Sequence, residues 1–153
     1  MIDRPVKANI ADASVTDQTD LVYAAEDLAL GDTGRRFSRW TDVATYVDAV
    51  VASDWWAGTF PHAPQEVEVL RRSRSATASL ASRGSAAIAI RDGSWTSPVI
   101  LHELAHLAAP RDDDHGPSFA AAFLVIAREH LGFAAYGALA SAFAAAGVEA
   151  APR

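Results

Sequence analysis

The chain of 153 residues contains no cysteine. Disulfides, thiol catalysis and cysteine-ligated zinc are thereby excluded, and any site for a borderline metal must be built from histidine and carboxylate. Positive charge is also scarce. Thirteen Lys and Arg stand against nineteen Asp and Glu, a net charge of −6. Phosphate backbones require a clustered basic surface, so no nucleic-acid partner is expected. Near the start, Asp3, Arg4 and Lys7 leave no room for the apolar run of a signal peptide, and the expected location is cytoplasmic. The one long uncharged stretch, residues 131–148, carries its large side chains at Phe133, Tyr136, Leu139 and Phe143. These form roughly one stripe among small residues, which predicts a helix packed on a protein core; no membrane partner is expected.

Half of the residues are hydrophobic, and a chain of this length can bury a proper core. Residues 1–15 lack periodicity and read as a flexible arm, with a single domain over 16–153. Thr16 or Asp17 offers a cap for a helix over about 17–30, with Leu21, Ala25 and Leu28 on one face. Thr41 is placed to cap a second helix running to about Trp56. His62, in the loop Phe60–Pro64, has no partner at metal-ligand spacing and reads as structural or exposed. The middle third changes period. Val67 and Val69 alternate with Glu66 and Glu68, and two further short strands are predicted at Ala76–Leu80 and Ala86–Ile90. Arg71, Arg72 and Arg74 form a small basic cluster, read either as a solvated strand edge or as an anionic-substrate contact. Helices are predicted again from Gly116-Pro117-Ser118 to about Leu131, and from about Phe133 to Ala146.

The chemistry concentrates in Val99–Leu107, V-I-L-H-E-L-A-H-L. Ser97 as cap, Pro98 at the first helical position and Pro110 beyond the end define a helix around it. His102 and His106, four apart, leave one face of that helix together. Two neutral imidazoles suit zinc, and Glu103, about 60° round from His106, is within reach of a water there. A catalytic site needs a third protein ligand and an open fourth position. Three candidates stand. His115 follows a seven-residue turn and continues the stripe Phe119, Phe123, Ile126. Glu129 would give the two-His-one-Glu arrangement. The run Asp112–Asp114 could supply a ligand, or a carboxylate that orients a ligand imidazole.

H-E-L-A-H followed by His115-Gly116-x-x-Phe119 resembles the zincin metallopeptidases of the SprT-like type. The chain is more closely similar to a small group of bacterial zinc metallohydrolases, in which an early helix like Asp17–Glu26 also recurs. The match covers about residues 97–123. It implies His102, His106 and His115 as ligands of one Zn²⁺ ion and Glu103 as catalytic base. The gap between His106 and His115 is shorter than in typical SprT-like proteins. Their cysteine zinc ribbon and DNA-related role are not carried over, given the missing cysteine and the acidic balance. Metzincins are set aside because the only methionine is Met1.

The expected fold is α+β and zincin-like: about three strands in a mostly antiparallel or mixed sheet on an active-site helix, with helices before and after. The expected activity is that of a zinc metallohydrolase, specifically a metallopeptidase acting on a peptide or protein. The resemblance also implies an edge strand that holds extended substrate, for which Ala86–Ile90 is the candidate. Tyr136, His130 and Arg74 are the candidates for a second oxyanion donor. The competing class is a binding or regulatory module that keeps the metal without turnover.

Overall fold

The helix bearing H-E-L-A-H is buried on nearly every side, and the other elements are arranged to cover it. A computed structural model describes residues 17–151; the arm expected over 1–15 lies outside the described residues. In chain order the elements are α1 (Thr19–Leu30), α2 (Trp40–Val51), α3 (Asp54–Thr59), β1 (Glu68–Arg72), β2 (Leu80–Ser82), β3 (Ala87–Arg91), α4 (Ser97–Ala108), α5 (Pro117–His130) and α6 (Phe133–Ala146). The α+β class is as expected, with six helices and a small mixed sheet among the described residues.

The sheet has the order β1-β3-β2, with β3 parallel to β1 and antiparallel to β2. The segment 73–79 carries the chain from β1 across the end of β3 to the far edge. Arg91 pins this crossing, its backbone N–H donating to Ser79 Oγ and its Nε to the carbonyls of Arg74 and Ala76. Arg72 donates to the Ala78 carbonyl from below. β3 is therefore central, and the expected edge strand at Ala86–Ile90 is corrected: the edge beside α4 is β2. The sequence pattern located β1 and β3, but the strand expected at Ala76–Leu80 shares only Leu80 with β2, and pairing order depends on the crossing, which no local pattern encodes.

α4 packs on β2 and β3 on one side and on α5 on another; α5 packs on α6, and α6 on α1. Thr96 caps α4, its hydroxyl accepting from the Val99 N–H, with Pro98 in the first turn. The expected cap, Ser97, instead accepts from the Arg35 N–H at 2.8 Å. Backbone bonds from Phe37 N to Trp95 O and from Ser97 N to Arg35 O fasten residues 35–37 beside that helix start. Gly34 is required there. Its φ is +88°, and a Cβ would lie 2.5 Å from Ser97 Oγ and 2.8 Å from Pro98 Cδ.

Three helix expectations need correction. α2 begins at Trp40 after Arg39, so Thr41 lies in its first turn and does not cap it. α2 and α3 are separate, because the chain breaks at Ala52 and Ser53 restarts the helix by capping Trp56 N–H. On α1 the inward face is Val22, Ala25 and Leu30, whereas Leu21 is 44% and Leu28 82% exposed. Leucine periodicity thus indicated the wrong stripe. Gln18 fixes the true one by exchanging two hydrogen bonds with the Glu149 backbone, just beyond α6. α6 itself agrees with its expected bounds, burying Leu139 and Phe143 against α1 and α5, although Phe133 is exposed. No helix among the described residues is long and apolar enough to cross a membrane.

These faces are testable by urea denaturation. Leu139→Ala, at a fully buried position, is expected to cost about 2–5 kcal/mol. Leu28→Ala is expected to stay within about 0.5 kcal/mol.

Candidate metal centre

His102 and His106 leave the same face of α4, and the chain then returns to them. Asp114 adopts φ +57°, a left-handed conformation that aspartate tolerates, and turns His115 back towards α4. Asp113 holds the turn from below by accepting from the Ser118 and Phe119 N–H groups at the start of α5. The result brings one ring nitrogen each of His102, His106 and His115 within 4.8 Å of one another. This group of three histidines could hold a metal ion. Phe119 lies beneath it, stacked on His106 at 4.4 Å. Of the other third-ligand candidates, Glu129 is exposed on the last turn of α5 and does not join the group. Asp114 instead stands beside the outer nitrogen of His115, with Oδ1 3.2 Å from Nδ1.

Two of the three inner nitrogens, those of His102 and His115, are aimed by a partner on the outer one. Glu26 of α1 places both carboxylate oxygens at 2.8 and 2.9 Å from His102 Nδ1. Thr19 Oγ1 is 3.0 Å from His115 Nδ1. With the Nδ1 protons drawn outward to these groups, His102 Nε2 and His115 Nε2 face one another at 3.0 Å inside the protein. Two lone pairs at that distance repel unless a proton or a cation lies between them. The separation is close to the ~3.3 Å edge of a tetrahedron with metal–nitrogen bonds of ~2.0–2.1 Å. A third imidazole in the same group favours the cation.

The electrostatics differ among the three imidazoles. Burial, then the neighbouring His102 and His115, pushes His106 down to about 2, so its imidazole is neutral near pH 7. Burial and His102 lower His115 to about 4. Burial also opposes charge on His102, but the Glu26 carboxylate outweighs it and the net direction is upward. Glu103, with Oε2 4.0 Å from His102 Nε2, is pushed up to about 7 by burial, against the pull of His102.

Two cavities meet at Glu103. One of about 390 Å³ lies between α1, the crossing segment and the start of α4, and includes Glu26, Ser79, Arg91 and His102 in its walls. The other, about 300 Å³, runs under β2 past His106, Asp114 and His115. Tyr23, Ala78, Ser79 and Glu103 line both. None of Tyr136, His130 or Arg74, the expected oxyanion donors, lines either cavity. Tyr136 packs by Phe133, His130 against Trp55, and Arg74 under Gly93. Within the basic cluster, Arg71 pairs with Asp92 and lies over Trp40 and Trp95, while Arg72 holds the crossing segment, so both are structural. His62 is exposed, as expected.

Sequence reasoning did not single out Glu26, Tyr23 or Thr19 as site residues. The available signal was their spacing, 19, 23 and 26, which puts all three on one face of α1. In comparisons with known proteins, the chain matches no family model, no curated protein sequence and no solved structure.

Metal titration with zinc and cobalt(II), followed by dialysis, tests the arrangement. His115→Ala is expected to abolish stoichiometric retention of the metal and Glu129→Ala to leave it unchanged. Glu26→Gln is expected to weaken affinity about 10–100-fold while preserving the helical circular dichroism.

Proposed function

We propose that this protein is a zinc-dependent hydrolase, and specifically a metallopeptidase, with His102, His106 and His115 as ligands of one Zn²⁺ ion and Glu103 as general base. The observation that carries the reading is the buried carboxylate of Glu103, set beside three convergent imidazoles where two cavities meet. A purely structural zinc site closes with four protein ligands and has no use for such a base. The all-nitrogen donor set suits zinc, which when bound acidifies water and polarises a carbonyl.

The chain's own residues supply the remaining parts. Glu103, buried and raised to about 7, accepts a proton from the attacking water and returns it to the leaving nitrogen. Glu26 and Thr19 hold the imidazoles in one orientation, so no reorganisation is needed during turnover. Among the described residues one side of β2 is unpaired; β2 borders the second cavity and the preceding Ala78-Ser79 border both, which supports an extended peptide laid along this edge. Cavities on both sides of Glu103 suit a chain that continues past the scissile bond in each direction.

The test compares wild type with Glu103→Gln, using zinc analysis alongside casein and fluorogenic-peptide cleavage. Both proteins are expected to retain one zinc, and the variant to lose at least about 100-fold in cleavage rate. If both retain zinc and neither cleaves, the peptidase reading gives way to a non-catalytic metal-binding module.

A further inference from the structure

Hydrolysis of an amide develops negative charge on the carbonyl oxygen, and a base on one side of the reacting carbon leaves that oxygen needing a donor elsewhere. Among the described residues, the side-chain hydroxyls that border both cavities are those of Tyr23 and Ser79, and the two arginines in the walls are committed. Arg83 donates from Nη1 to the carbonyls of His106 and Ala109, closing the end of α4. Arg91 is tied by Nε to the carbonyls of Arg74 and Ala76 and by Nη1 to Ser94 Oγ. Ser79 Oγ accepts from the Arg91 backbone N–H, which fixes its place on the crossing segment, away from the imidazole rings that Tyr23 packs against, and leaves its own O–H to donate.

Tyr23 differs from these. Its ring stacks on His102 at 5.4 Å and 10°, and lies 5.2 Å from the His115 ring. It borders both cavities, as Glu103 does, and remains 39% exposed to them and to solvent. Among the described residues its hydroxyl has no hydrogen-bond partner, so a neutral donor at the junction of the two cavities is uncommitted. Its position is also well fixed. Glu26, three residues on, grips His102, and Gln18, five residues back, is bonded to the backbone after α6.

Building on the hydrolase reading, we infer that Tyr23 is a further catalytic residue, whose hydroxyl donates a hydrogen bond to the substrate oxygen that becomes negative during attack. The donor thus comes from the first helix and the base from the fourth. The proton of Tyr23 is shared with the oxyanion and returns to the phenol when the tetrahedral species collapses, so no net proton leaves this residue.

Tyr23→Phe keeps the ring on His102 and removes only the donor. Two readouts are compared with wild type: peptide cleavage by the zinc-loaded protein, and the affinity of the cobalt-loaded protein for inorganic phosphate, an oxyanion probe followed by the cobalt absorption band. The expected result is a fall in kcat of about 100-fold with KM within about threefold. Phosphate affinity is expected to fall about tenfold, with metal stoichiometry unchanged. Wild-type kcat with wild-type phosphate affinity in the variant would overturn the inference and leave the peptidase reading intact. Conversely, if wild type cleaves no peptide yet the variant still binds phosphate about tenfold more weakly, the peptidase reading fails and the donor role of Tyr23 stands. Loss of the metal itself from Tyr23→Phe would overturn the inference by making the residue a structural support.

Discussion

The bond between Glu26 and His102 Nδ1 ties the first helix of the fold to the fourth, across 76 residues of sequence. Much of the site's geometry depends on it. It directs Nδ1 outward and Nε2 towards His115, and holds α1 with Tyr23 and Thr19 facing the histidines. A carboxylate largely removed from water would be costly on its own, as would a charged imidazole. Paired, each makes the other's burial tolerable, which is why burial and the pull of Glu26 act in opposite directions on His102.

The same constraint explains why α4 is enclosed. Ile100, Leu101, Leu104, Ala105, Leu107 and Ala108 are buried around a helix that also buries His102 and Glu103. A polar pair can be held this deep only if the apolar residues around it fill space and the polar atoms find partners. Burial then becomes chemically useful. It keeps His106 and His115 neutral and raises Glu103 into the range where a carboxyl can both take and give a proton near neutral pH. The dehydrated wall of Phe119 beneath the imidazoles contributes to the same effect.

The helices and the ligand-like histidines were readable because their signals are local. A cap, a proline and an i,i+4 pair lie within a dozen residues of one another, and α4, α5 and α6 match their expected positions closely. His115 stood out through its place ahead of the Phe119, Phe123, Ile126 stripe, and the left-handed turn at Asp114 brings it back to α4. The misreadings share a cause. Leu21 and Leu28 suggested a buried face, but α1 docks by Val22, Ala25 and Leu30, because its orientation is set by Gln18, Glu26 and the surface of α6. The strand at Ala87–Arg91 was detectable, but its place between β1 and β2 was not, since strand order follows from how residues 73–79 cross the sheet.

By itself, the sequence determined the motif helix, the absence of any cysteine-based site, the alternation of helical and strand segments, and the His102–His106 pair with His115 as one of three candidates for a third ligand. All of these rest on residue identity and short-range periodicity. Tertiary structure alone decided which side chains surround H-E-L-A-H. Glu26, Thr19 and Tyr23 come from a helix some eighty residues upstream, the cavities are bounded by a strand edge and a crossing segment, and Arg71 and Arg72 of the basic cluster are spent on holding the fold. Hydrogen-bond partners of buried groups are chosen by three-dimensional proximity, and proximity between distant segments leaves no period in the chain.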